Sequence, residues 1–126
     1  TKGHTLPNCM LDIHWSSLEQ YLQGLRSHYR YRYKKAQKKA EDLAIEILDK
    51  DFDAELYALY EQVYNKSGYK LEKLSIDFFR QTAATIAVFR EKGRAAAFVQ
   101  YTIRDGKMFF LFGGLDYSLN KKYDLY

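Results

Sequence analysis

The sequence holds one cysteine, one proline and one tryptophan in 126 residues. A single thiol, Cys9, excludes an internal disulfide framework and fits a reducing, cytoplasmic setting. Long apolar runs are missing too. The longest, Ala95–Val99 and Met108–Phe112, are far too short to span a bilayer. The opening Thr1-Lys2-Gly3-His4 lacks the apolar core of a secretory signal. His4, His14 and His28 are scattered, and Cys9 with His14 has no zinc spacing, so no metal is expected. Cys9 has no identifiable partner base and reads as a buried structural thiol. Ser16 and Ser17 lack a Gly-x-Ser-x-Gly setting and read as helix caps rather than nucleophiles.

What is present can build a core. Hydrophobic residues make up 47% of the chain and aromatic residues 17%, which excludes a disordered polymer. Twelve tyrosines imply many half-buried rings with a polar tip. Charge is uneven. Residues 26–39 carry Arg26, Arg30, Arg32, Lys34, Lys35, Lys38 and Lys39 with no acid among them. The whole chain has 20 basic and 16 acidic side chains, so the remainder is net negative.

The most informative stretch is Thr85–Tyr117. Three β-rich runs, Ile86–Arg90, Ala95–Ile103 and Met108–Phe112, are separated by Lys92-Gly93 and Asp105-Gly106. Asp-Gly between hydrophobic runs signals a type I′ hairpin, so an antiparallel meander is expected. Alternation places Ala97, Val99, Tyr101 and Ile103 on one face, with Ala96 and Phe98 on the other. In the third run Met108, Phe110 and Phe112 oppose Phe109 and Leu111. Both faces are apolar and call for cover.

Upstream, Leu6–Ile13 reads as a short strand. Ser16 and Glu19 offer a capping box with Trp15 as a staple, and a break near Ser27 precedes the basic helix. Within that helix Tyr29, Tyr33, Ala36 and Ala40 form a thin apolar stripe. Leu43–Leu48 reads as the first main strand. Asp53–Lys66 reads as a helix stopped by Gly68, and Ser75 caps another through about Ala83, with Ile76, Phe79 and Phe78 inward. Ser118 offers a cap for a last helix. The class is therefore α/β in the broad sense (α+β), one domain over 1–126: a basic helical segment at 14–42, then a mostly antiparallel sheet with helices at 43–126. A first residue that is not Met and a last one just past a helix start read as an excised piece.

This order resembles the first half of a GNAT-type N-acyltransferase, and more narrowly the Fem-like branch associated with peptidoglycan-bridge aminoacyl transfer and peptidoglycan biosynthesis. The resemblance rests on HWSSLEQYLQGLRSHYRYRYKKAQKKA (14–40), LYALYEQVYNKSGY (56–69), Asp77-Phe78-Phe79 and FFLFGGLDYSLNKKYDLY (109–126). It implies transfer of an acetyl, acyl or aminoacyl group to an amine. The donor would be acyl-CoA or aminoacyl-tRNA, meeting the acceptor beside the third meander strand. Phe112, Gly113, Gly114 and Tyr117 are the implied donor-binding and substrate-binding positions; no catalytic base is identified. The Arg/Gln-x-x-Gly-x-Gly/Ala phosphate loop of the GNAT fold is absent, since Gly113-Gly114-Leu115-Asp116 does not match it, and the piece is expected to be inactive alone.

Other readings stand beside this one. Arg26, Arg30, Arg32 and Lys35 could hold an anion such as tRNA, a nucleotide-linked precursor or the phosphates of coenzyme A, with Tyr29, Tyr31 and Tyr33 stacking on bases, in a module without chemistry. The same helix could instead be a plain solvated surface. Gly113-Gly114 is either a bulge admitting a ligand or a strand terminator. Asp116 and Tyr117 are a general acid or base pair, or a cap and turn. An open sheet edge would pair with a second copy, giving a dimer.

Overall fold

The computed structural model describes residues 8–125. The chain divides into two compact units, residues 1–34 and 35–126.

In the first unit, Asn8–Ile13 is neither helix nor strand, and Met10, Leu11 and Ile13 are exposed. The strand expected over 6–13 is thus not formed at these positions; Leu6, Pro7 and His4 lie outside the described residues. Cys9 is exposed rather than buried, because no packed element surrounds it. Helix α1 spans Leu18–Gly24. Its cap is Ser17, not Ser16: the Ser17 hydroxyl accepts from the Gln20 N–H at 3.2 Å, and Gln20 Oε1 accepts from the Ser16 N–H at 2.7 Å. Two overlapping boxes compete here. The one chosen lets the Trp15 and Tyr21 rings meet at 4.5 Å. Leu25 ends α1 in an extended conformation, and α2, Ser27–Lys39, follows the break expected near Ser27.

The second unit is an α+β body. Strand β1 is Ala44–Asp49, and α3 is Ala54–Lys66, capped by Asp53. Helix α4 is Ile76–Gln81, capped by Ser75. Then come β2 (Thr85–Glu91), β3 (Arg94–Arg104) and β4 (Lys107–Leu115), and finally α5 (Tyr117–Tyr123). The four strands form one antiparallel sheet in chain order, so β1 and β4 are its edges. Both hairpin turns have positive φ at both central residues, at Lys92-Gly93 and Asp105-Gly106, as a type I′ turn requires.

Helix ends differ from expectation in three places. Ser67 ends α3 in extended backbone, and Gly68 does not supply a left-handed stop. Helix α4 ends at Gln81 because Thr82 donates both its backbone N–H and its hydroxyl to the Phe78 carbonyl. Asp116 rather than Ser118 caps α5, its carboxylate accepting from the Ser118 N–H at 2.9 Å.

Helices α3 and α4 cover one sheet face. Phe52, Leu56, Phe79, Ile86, Val88 and Phe98 meet there with almost no exposure. Each such side chain contributes about 1.5–3 kcal/mol on burial. Three α3 tyrosines at this core, Tyr60 buried and Tyr57 and Tyr64 half-buried, use their hydroxyls on the loop before α4: Tyr57 donates to the Leu74 carbonyl, Tyr64 donates to the Leu71 carbonyl, and Tyr60 accepts from the Leu74 N–H.

Two bulges rearrange the faces expected from simple alternation. Phe89 pairs with Ala97 and Arg90 with Ala95, which leaves Ala96 as an extra residue in β3. Ala96 therefore joins Leu43 and Tyr123 in a second cluster, while Phe98 lies in the main core. Likewise Gln100 pairs with Phe112 and Tyr101 with Phe110, leaving Leu111 extra in β4. Phe112 faces the helices and Phe110 the opposite side, although simple alternation places them together. Within this unit, among the described residues, that opposite side is covered near Leu43 and Tyr123. Ile45, Ile47, Ile103, Met108 and Phe110 remain 59–67% exposed.

Polar clusters pin the body. Arg90 reaches Glu46 of β1, Glu55 of α3 and the Gly93 carbonyl, and Glu55 also accepts from the Ala95 N–H at 2.8 Å. The hydrogen bond to Glu46, then that to Glu55, holds Arg90 firmly charged. Helix α5 is tied to β2 by Glu91, which accepts from Lys122 and, at 2.7 Å, from the Tyr123 hydroxyl. These bonds, Lys122 first, hold the Glu91 carboxyl below its ordinary range and push Lys122 above its own. A lowered carboxylate pKa stabilises the folded state above the unfolded-state value and loses that contribution as pH falls through the folded one. The raised lysine contributes below its unfolded value and fails only in strong alkali. Glu91→Gln is therefore expected to flatten the decline of melting temperature below about pH 4.5. Thermal melts of both proteins from pH 7 to pH 3 check this; parallel declines would show that the Glu91 linkage is negligible.

Candidate functional site

The positions singled out near the end of the meander do come together along β4 and the start of α5, but they face different ways. Phe112 packs edge-on against Phe78 and Phe79 on the helix side, at 5.7 and 5.2 Å between ring centres. Gly113 lies on the open face, where a Cβ would come within 3.2 Å of the Phe98 carbonyl oxygen and 3.4 Å of the Phe110 ring. Gly114 is buried and does not terminate the strand. A Cβ there would stand 2.5 Å from a Phe98 ring carbon and 2.6 Å from the Tyr60 backbone nitrogen. The close approach that Gly114 permits is made by α3 itself.

Asp116 is occupied. It caps α5 and pairs with Arg94 at 3.2 Å. Its position at the first turn also puts a negative charge where a donor's phosphates would need positive partial charge. Tyr117 donates its N–H to Gln62 Oε1 at 3.1 Å, and its half-buried ring lies 3.7 Å beneath the Lys66 ammonium. Capping accounts for the contacts of Asp116 with Ser118, and the Arg94 pair ties it separately to β3.

One residue absent from the sequence reading belongs to this region. Gln100 is completely buried, and among the described residues neither its amide nitrogen nor its oxygen has a hydrogen-bond partner. It pairs across the strands with Phe112, beside the Leu111 bulge. Leaving an amide so placed unpaired costs about 1–3 kcal/mol. Its signal was legible: a polar side chain shares the phase of Phe98 in a strand otherwise apolar up to Tyr101.

Arg26 precedes α2; Arg30, Arg32 and Lys35 lie on it. Arg26, Arg32 and Lys35 are exposed and Arg30 is half-buried. Among the described residues, the one ion pair made by α2 is that of Lys39 with Asp124 at 2.9 Å.

Among the described residues no group of three or more His, Cys, Asp or Glu is placed to hold a metal, and no helix is long and apolar enough to cross a membrane. No family model matches the chain, and no curated protein matches it in sequence.

Proposed function

We propose that residues 43–126 are the first half of a GNAT-like fold of the Fem-like kind, and that the activity they serve is transfer of an acyl or aminoacyl group to an amine. The observation that carries this reading is the edge strand β4. It is bulged at Leu111, free of any strand partner on its outer side among the described residues, and backed by the unpaired Gln100 amide across from Phe112. Bulges re-aim backbone groups and recur beside active sites. The order β1, two helices, then β2–β4 agrees with the resemblance drawn from the sequence.

In this reading the thioester or aminoacyl ester carbonyl lies along β4 near Phe112–Gly114. Backbone N–H groups of that segment stabilise the oxyanion that forms when the amine attacks. Phe112 and Phe78 wall the acceptor side, and the missing side chain at Gly113 admits the donor. Positioning of the two substrates supplies the rest of the rate. Asp116 stands against a phosphate seat at the start of α5, so an acyl-CoA donor would place its diphosphate away from that turn.

The test is an amide chemical-shift titration of the chain with acetyl-CoA at millimolar concentration. Shifts confined to residues 110–115 and Gln100 are expected. Shifts elsewhere, or none with either acetyl-CoA or an aminoacyl-nucleotide analogue, would refute the reading.

A further inference from the structure

We infer that the unit of residues 1–34 carries a binding surface for single-stranded nucleic acid, built on Arg26, Arg30, Arg32 and Lys34 with the ring of Tyr31. None of these four cations takes part in an ion pair or a side-chain hydrogen bond among the described residues. Arg26, Arg32 and Lys34 are exposed, and Tyr31 is 66% exposed. Four cations kept together without an acid repel one another and are left for an external anion.

Their spacing indicates what kind of anion. Arg26, Arg30 and Lys34 recur every fourth residue, so they line one side of the helix about 6 Å apart along its axis. That is close to two phosphate steps of a nucleic-acid strand, at about 3.4 Å each. The row is a convex helix surface, so it suits an extended polyanion better than a single diphosphate. Tyr31 follows Arg30 directly and flanks the row, giving an unpaired base a face to stack on. A lipid surface suits the helix poorly. Membrane-surface helices bury a broad face of Leu, Phe or Trp, and α2 contains none of these, nor Ile or Val.

The measurement is fluorescence anisotropy of the whole 126-residue chain with labelled oligouridylate, oligothymidylate, a duplex of equal length and vesicles containing anionic lipid. Single strands should bind at 50 mM salt and weaken with a log–log slope of about −3, roughly fifty-fold for a fourfold rise in salt. The triple variant R26Q/R30Q/K34Q should lose at least about tenfold in affinity and bring the slope close to −0.7, a single remaining contact. Gln is as helix-compatible as Arg and Lys, and circular dichroism confirms that the variant is folded. Tyr31→Ala should lose about fivefold on single strands and nothing on duplex. R104Q/K107Q, at the β3–β4 turn, should change nothing. Stronger binding of the uridylate assigns the natural strand to RNA, and equal binding assigns a backbone-only contact; both sustain the inference. No single-strand binding at 50 mM salt, binding unaffected by the triple variant, duplex preferred over single strand, or binding to vesicles alone would each overturn it. The result is independent of the β4 titration with acetyl-CoA.

Discussion

Gly114→Ala is expected to destabilise the second unit by about 3 kcal/mol or more, the upper end of the cost of overpacking a core. The added methyl would stand 2.5 Å from Phe98, 2.6 Å from the Tyr60 nitrogen and 2.7 Å from the Leu59 carbonyl carbon. Two of those three atoms are α3 backbone, which cannot rotate away as a side chain can. Helix α3 would have to lift from β4, exposing Leu56 and Leu59, which are now buried. The small entropic benefit of replacing glycine, about 0.4–1 kcal/mol, does not offset this. Gly113→Ala is the internal control. Its nearest atom would be 3.2 Å away, its next a movable ring, and its side faces solvent in part. Urea unfolding should show a large fall in midpoint for the first variant and a small change for the second. Equal midpoints for Gly114→Ala and the parent would contradict the packing of α3 on β4.

The second large effect is expected at Phe79. Its ring is 1% exposed and is met by Phe52 at 4.6 Å, Tyr60 at 4.7 Å and Phe112 at 5.2 Å. Truncation to alanine should cost about 3–5 kcal/mol, because the lost burial is joined by a cavity that the five neighbouring rings fill poorly. Domains of this size are stable by only about 5–15 kcal/mol, so the variant would approach the threshold of unfolding. Phe78, one residue earlier, is 42% exposed and meets the rings of Phe79 and Phe112 at 5.7 Å each. Phe78→Ala should cost far less, about 1 kcal/mol. Similar losses for the two neighbours would mean that α4 does not present Phe79 to the sheet.

Both effects arise where a helix packs on the meander, whose outline was plain in the residues and whose detail was not. The turns at Lys92-Gly93 and Asp105-Gly106 were legible because only a few residue types tolerate two positive φ angles in succession. The cap at Ser75 was legible because a side-chain oxygen must satisfy the first N–H groups of a helix. The cap of α1 was missed by one residue, since Ser16-Ser17 offers rival oxygens, while at α5 both Asp116 and Ser118 read as caps and the fold uses Asp116. Choosing between them depends on where Trp15 and the end of β4 come to rest. Cys9 was misread because burial was inferred from residue type, and burial is a property of neighbours.

The candidate site divides the same way. Phe112, Gly113, Gly114 and Tyr117 were picked out as a local phrase, and the fold does string them along β4 and α5. Local sequence carries no record of which face each residue takes once a strand is bulged. The extra residue at Leu111 sends Phe110 outward and Phe112 inward, and only pairing with β3 reveals it. The same is true of Gln100: its isolation is a fact about Phe112, Ile86 and the helices above, not about the strand that contains it.

The residues alone determined the antiparallel meander, the α+β class, the break before the basic helix and the unbalanced charge of 26–39, because each rests on interactions within a few positions of the chain. Tertiary structure decided which glycine is needed for packing, which aromatic rings form the core, which polar group is stranded and which sheet face stays open. Those outcomes depend on distances between segments far apart in sequence, and short-range propensity does not encode such distances.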